Sequence, residues 1–136
     1  MEHHQEIRNQ IIAGDKIGVF NLKIIKRGEP SMSIADYSKF HTYKNQIESL
    51  PVPFNDEALI HEQFLLEKDE KKKLEIYYAP FEYVNEHAKV VIVGITPGLH
   101  QMKKSYSTVL NVIDQQLSDE EVLHEVKKNS SFEGSM

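Results

Sequence analysis

The feature that most constrains this chain is the run Val90–Val93, four consecutive β-branched residues that lead directly into Gly94-Ile95-Thr96-Pro97-Gly98. β-Branched side chains are stiff and favour extended backbone. The run carries no charge, so the pattern predicts a strand over Lys89–Val93 covered on both faces, as in an α/β sheet. Gly94 and Gly98 lack Cβ, which opens the backbone to close approach, and Pro97 stiffens the turn. In open α/β sheets ligands bind outside the carboxyl ends of strands. A helix starting just after the turn would add unpaired N–H groups and partial positive charge. The chemistry suits an anionic or carbonyl-bearing ligand. A tight connection that binds nothing is the competing reading. Neither G-x-G-x-x-G nor G-x-x-x-x-G-K-[ST] is present, so dinucleotide and Walker A loops are excluded.

Around this turn the chain divides near residues 70–74. Residues 1–72 read as a mostly helical N-terminal extension. Residues 73–136 read as the first part of an α/β domain. Ile7, Ile11 and Ile12 fit one helix face, with Gly14 as a stop. Val19–Ile25 alternates as a half-buried strand. Ser33 and Asp36 open a long helix carrying Ile34, Tyr37, His41, Ile47 and Leu50, which Pro51 and Pro53 end. Asn55 caps a further helix with Leu59, Ile60, Phe64 and Leu66. Glu67–Lys73 reads as a solvated helix end or loop. Leu74–Tyr78 is a short strand. Gln101–Gln116 is a helix through Met102, Tyr106, Val109, Leu110, Ile113 and Leu117. Ser118 and Glu121 form a capping box for a last helix near Asp119.

With 136 residues and 40% hydrophobic content, the chain is long enough for one compact core. A net charge of -5 gives no global argument for nucleic-acid binding, though a local basic patch stays open. The chain has no cysteine, so disulfides, thiolate zinc sites and Cys-ligated iron–sulfur clusters are excluded. No apolar run approaches the ~20 residues of a membrane span. The start, MEHHQEIRNQ, has no signal-peptide h-region, and a cytoplasmic protein is expected. Of the seven histidines, none shows H-x-x-x-H or H-E-x-x-H spacing, so no metal site and no cofactor are expected. Lys103 and Lys104 read as solvated, with phosphate contact as the alternative.

The segment VVIVGITPG followed by QM resembles the first motif of the uracil-DNA glycosylase superfamily, whose members carry G-x-[polar]-P-G or G-x-[polar]-P-Tyr after the first central strand. Tyr77–Gly98, YYAPFEYVNEHAKVVIVGITPG, is similar to an uncharacterised bacterial branch of it, and the trailing SFEGSM extends the likeness to Met136. The resemblance implies a three-layer α/β/α sheet, present here in part. It also implies recognition of a nucleobase flipped out of DNA, with hydrolysis of the N-glycosidic bond. The motif's polar residue is Asp, Asn or Glu in well-known branches and here is Thr96. A threonine is no general base near neutral pH and can only orient a water. By position Gly94, Ile95 and Thr96 line the base pocket, with Pro97 fixing the turn and Gly98 leaving room for the nucleotide. Tyr78 or Phe81 supplies a stacking ring; core packing is the alternative for these aromatics. His100 does not match the histidine that closes the motif in one branch.

Superfamily domains run to about 200 residues, and their second motif, a late loop with a histidine, has no counterpart here. A truncated product, fragment or split protein is therefore expected, associating with itself or with a partner chain that completes the sheet. Three readings stay open: a glycosylase-like protein with DNA or a nucleobase as ligand, a non-catalytic binding or interaction module, and an enzyme on a free nucleoside or nucleotide.

Overall fold

The computed structural model describes residues 35–90 and 97–131 in full, and residues 6–12 and 19–23 by their backbone. It mixes helix and strand, the general α/β class read from the sequence. The elements in order are β1 (Glu6–Ile12), β2 (Val19–Lys23), α1 (Ser38–Glu48), α2 (Asp56–Leu59), β3 (Leu65–Asp69), β4 (Leu74–Tyr77), α3 (Leu99–Val112) and α4 (Asp119–Ser130). Short 3-10 turns precede β3 (Glu62–Phe64) and follow α3 (Ile113–Gln115). The four strands form one sheet in the order β2-β1-β4-β3. Each described pairing in it is antiparallel.

The sheet corrects the expectation for Glu6–Ile12, which is a strand and not a helix. Seven residues are too few for a self-supporting helix. Isoleucine also favours extended backbone. The deciding factor is pairing on both sides: β1 meets β2 from Glu6↔Lys23 onward, and Ile11 and Ile12 meet Tyr77 and Ile76 of β4. Val19–Lys23 is the strand that its alternation predicts.

α1 ends ahead of Pro51, as Pro51 and Pro53 predict. Asn55 does cap α2: its side chain accepts the Ala58 N–H at 3.0 Å. That helix lasts a single turn, however, because His61 is extended and its Nδ1 accepts the Gln63 N–H at 3.3 Å to start a new turn. Phe64 and Leu66 therefore reach the core from the 3-10 turn and β3, not from a helix. Glu67–Lys73 is likewise half strand and half hairpin turn. Asp69 closes the turn by accepting the Lys71 and Lys72 N–H groups at 3.0 and 3.1 Å, and Lys73 takes a left-handed φ of 52°. The division expected at residues 72 and 73 thus lies inside a β-hairpin. The core draws on both sides of it.

That core forms around α3. Met102, Tyr106 and Val109, spaced by four and three residues, make one fully buried face. Phe40 and Ile47 of α1, Leu59, Phe64, and Val122, Leu123 and Val126 of α4 pack with them. α4 begins with the predicted capping box. Ser118 Oγ accepts the Glu121 N–H at 3.3 Å, and Glu121 Oε2 accepts the Ser118 N–H at 2.8 Å. Three acidic residues in the first turn and two lysines in the last complement the helix dipole.

Two substitutions on α4 separate capping from packing. Ser118→Ala removes an exposed cap and is expected to cost about 1 kcal/mol in urea unfolding. Leu123→Ala, at a site with no exposure, is expected to cost about 2–5 kcal/mol by the same measurement.

Candidate ligand turn and the buried tyrosine–glutamate cluster

Gly98 is the N-cap of α3, with extended backbone (φ -89°, ψ -177°). Its carbonyl accepts the Met102 N–H at 3.0 Å, and its N–H donates to Gln101 Oε1 at 2.9 Å. α3 therefore starts at Leu99, two residues before the expected Gln101. A Cβ built on Gly98 would lie 3.2 Å from Gln101 Oε1, the end of a side chain that can turn away. Pro97 and Gly98 are both half-buried.

Gly94, Ile95 and Thr96 lie outside the described residues, as do Val91–Val93. Of the expected strand, Lys89 and Val90 are described, and they are irregular backbone with Val90 77% exposed. This corrects the expectation that the strand starts at Lys89 with both faces covered. A local turn competes with extended pairing just upstream. There Asn85 accepts the His87 N–H through its side chain at 3.1 Å and the Ala88 N–H through its carbonyl at 3.2 Å.

Lys103 is held by Asp56 of α2 at 2.9 Å, and Lys104 is also engaged. Neither is a spare cation at the turn. Tyr78 and Phe81 are core residues, 2% and 7% exposed. Tyr78 stacks on Tyr43 with ring centroids 4.3 Å apart and 16° between planes. Its ring already has a partner, which favours the core-packing alternative for Tyr78.

The grouping that the sequence reading missed lies around Tyr78. The Tyr106 hydroxyl, from the middle of α3, donates to the Tyr78 carbonyl at 2.8 Å. The Tyr106 ring meets Phe64 edge-on at 5.0 Å. The Tyr78 hydroxyl in turn donates to Glu82 Oε1 at 2.7 Å. Glu82 Oε2 is sealed from solvent and has no hydrogen-bond partner among the described residues. Burial pushes the Glu82 carboxyl up to about 7, against the smaller opposing pull of the Tyr78 hydroxyl, a backbone hydrogen bond and Lys39, while Asp36 raises it further. Burial and the adjacent Glu82 also hold the Tyr78 hydroxyl well above its ordinary range. The signal in the sequence is PFEYV, a lone acid among apolar and aromatic neighbours, where an ion has no ready partner.

Elsewhere, Asp119 at the start of α4 gathers Lys44 at 2.9 Å and His41 at 3.4 Å from α1. A shallow groove of about 360 Å³ beside the hairpin is lined by Lys68, Asp69, Glu70, Lys73, Leu74 and Glu75. Its charges are of both signs, and Lys68 and Glu75 pair across it at 3.2 Å. Among the described residues there is no group of three or more acidic or histidine side chains placed to hold a metal. No described helix is long and apolar enough to cross a membrane.

The chain is 33% identical over 104 residues, 76% of its length, to the uncharacterized protein YoxB of Bacillus subtilis (strain 168). It spans 40% of the length of that relative. No protein-family model matches the chain, and no solved structure matches it significantly.

The sealed carboxyl makes stability pH-dependent in a defined sense. The folded chain holds the Glu82 proton more tightly than the unfolded chain. Its contribution is therefore fully present below the ordinary carboxylate value of 4.5 and is lost as pH rises towards about 7. Thermal melts of the wild type and of Glu82→Gln from pH 4 to 8 check this. The wild type is expected to lose melting temperature over that window relative to the variant, whose amide does not titrate.

Proposed function

We propose that this chain contributes a nucleobase-recognition turn of uracil-DNA glycosylase type, at the junction where Pro97 and Gly98 open α3. The observation that carries the reading is Gly98 itself. It is a bare backbone position at the N-terminus of a 14-residue helix, directly after a motif that resembles the superfamily's first motif. The Gly98 N–H is held by Gln101 Oε1, so a planar base with carbonyl oxygens would approach the N–H groups of the first turn beyond it, past a position with no Cβ. The same reading makes the sheet part of a three-layer α/β/α domain and sets the protein in the cytoplasm. A partner adding a strand would meet β2 or β3, the two outer strands of the described sheet.

Within this reading Thr96 takes the place of the motif's acidic or amide residue. Its hydroxyl orients a water but does not take its proton. Recognition of a flipped base is thus the primary activity, and hydrolysis of the N-glycosidic bond is slow or absent. That favours the non-catalytic binding module over the free-nucleotide enzyme as the second reading.

A substitution at Gly98 separates binding from folding. Gly98→Ser keeps the helix start, because the extended backbone suits a serine N-cap and the hydroxyl can accept a first-turn N–H. Fluorescence anisotropy is measured with a labelled duplex containing a uracil mismatch, alongside a fully paired duplex and single-stranded DNA. Preferential binding of the mismatched or single-stranded probe is expected, weakened about tenfold in Gly98→Ser at unchanged melting temperature, which corresponds to roughly 1.4 kcal/mol. Equal affinity of the two proteins, or no binding by the wild type, overturns the proposal. If alkali-labile abasic sites form in the uracil probe, Thr96→Ala is expected to slow their formation.

A further inference from the structure

The chain from 79 to 90 connects β4 to the residues before the α3 turn, and its described backbone is neither helix nor strand. Besides Pro80, which is fully buried, three side chains fasten it to the body of the protein. Phe81 is buried in the core. Glu82 inserts its carboxyl and meets the Tyr78 hydroxyl at 2.7 Å. Tyr83 lies against the His124 ring of α4, centroids 4.9 Å apart. Of these, the Glu82 attachment is the one that buries a carboxyl. One oxygen is bonded and the other, Oε2, is sealed without a partner among the described residues. A neutral acid tolerates that arrangement, whereas a carboxylate leaves a desolvated negative oxygen uncompensated.

We infer that Glu82 and Tyr78 form a protonation-dependent latch that holds residues 79–90 against the helical core. With the carboxyl neutral the latch is closed. When the proton leaves to solvent, the segment lifts so that the carboxylate reaches water. The titratable groups facing Glu82 are few. Tyr78, at the end of β4, donates to it. Lys39 of α1 pulls towards the ionised form, and Asp36, just before α1, pushes away from it. Tyr43 of α1 and Tyr106 of α3 face the same pocket through Tyr78 and stay neutral, since burial holds both hydroxyls above their ordinary value. On α4, His124 sits against Tyr83, the next residue along. None of these supplies a positive charge at hydrogen-bond distance to Oε2, and burial places the Glu82 carboxyl itself near 7.

Hydrogen–deuterium exchange of the full chain between pH 5 and 9, corrected for the intrinsic rate, tests the latch peptide by peptide. For a single linked proton the opening of 79–90 is expected to rise by up to about tenfold per pH unit below the carboxyl's own value and to level off above it. Peptides from α3 and α4 should not follow. The chain has no tryptophan, so near-ultraviolet circular dichroism reports the tyrosines, including the Tyr43–Tyr78 stack, over the same range. Glu82→Gln is expected to abolish the rise. Tyr78→Phe keeps the ring but removes the hydroxyl that favours the carboxylate, so the pH at which exchange levels off is expected to move up. A pH-independent 79–90 in the wild type, a rise retained in Glu82→Gln, or a levelling point unmoved in Tyr78→Phe each overturns the latch. None of these readouts involves DNA, so they stand or fall apart from the role of Gly98.

Discussion

The hydrogen bond from the Tyr106 hydroxyl to the Tyr78 carbonyl ties the two halves of this fold together. It joins the middle of α3 to the residue that leaves β4, so the helix layer and the sheet share one buried polar contact. Both ends are withdrawn from water, and a buried carbonyl left unpaired costs about 1–3 kcal/mol. The aromatic rings around it, Tyr43, Phe64 and Tyr78, supply apolar contact while their geometry fixes orientation. Tyr78 thereby serves twice: its backbone receives α3, and its side chain receives the connection that follows. The turn at Gly98 is set by the same helix, because the first residue of α3 is placed by the face that Met102 and Tyr106 bury.

The helices of this chain were legible where local chemistry decides them. Ser118 with Glu121, Asn55 ahead of its short helix, the proline pair after α1 and the apolar spacing of α3 are each readable within a few residues. What escaped was set at a distance. Glu6–Ile12 carries too few residues to choose its own state, and its partners lie in β2 and in β4, much later in the chain. The hairpin at Asp69–Lys73 hides in a charged run that carries no glycine, and Lys73 accepts the left-handed backbone in its place. Glu82 was passed over for a related reason. Acidic residues mostly sit in water, and only the folded arrangement of Tyr78, Tyr106 and the start of α1 removes water from this one.

At the candidate site the sequence was informative about backbone and less so about side chains. Gly98 follows Pro97 and caps the start of α3, a helix opening where the glycine after the proline predicts one. Tyr78 and Phe81, the aromatic residues that offered stacking surfaces, are part of the core. A motif is short-range information, and whether a nearby ring faces a ligand or the interior depends on packing that the motif does not encode.

The central position of β4 has a consequence for synthesis. β1 leaves the ribosome early, yet one of its two neighbours, β4, follows α1, α2 and β3. During translation the nascent strand can zip only with β2, and its last residues, Ile11 and Ile12, must wait on solvent for Tyr77 and Ile76. Closing that gap is an encounter across a long stretch of polypeptide, which places it among the slowest acts of assembly. The β3–β4 hairpin, by contrast, is closed by near neighbours in sequence through the Asp69 turn.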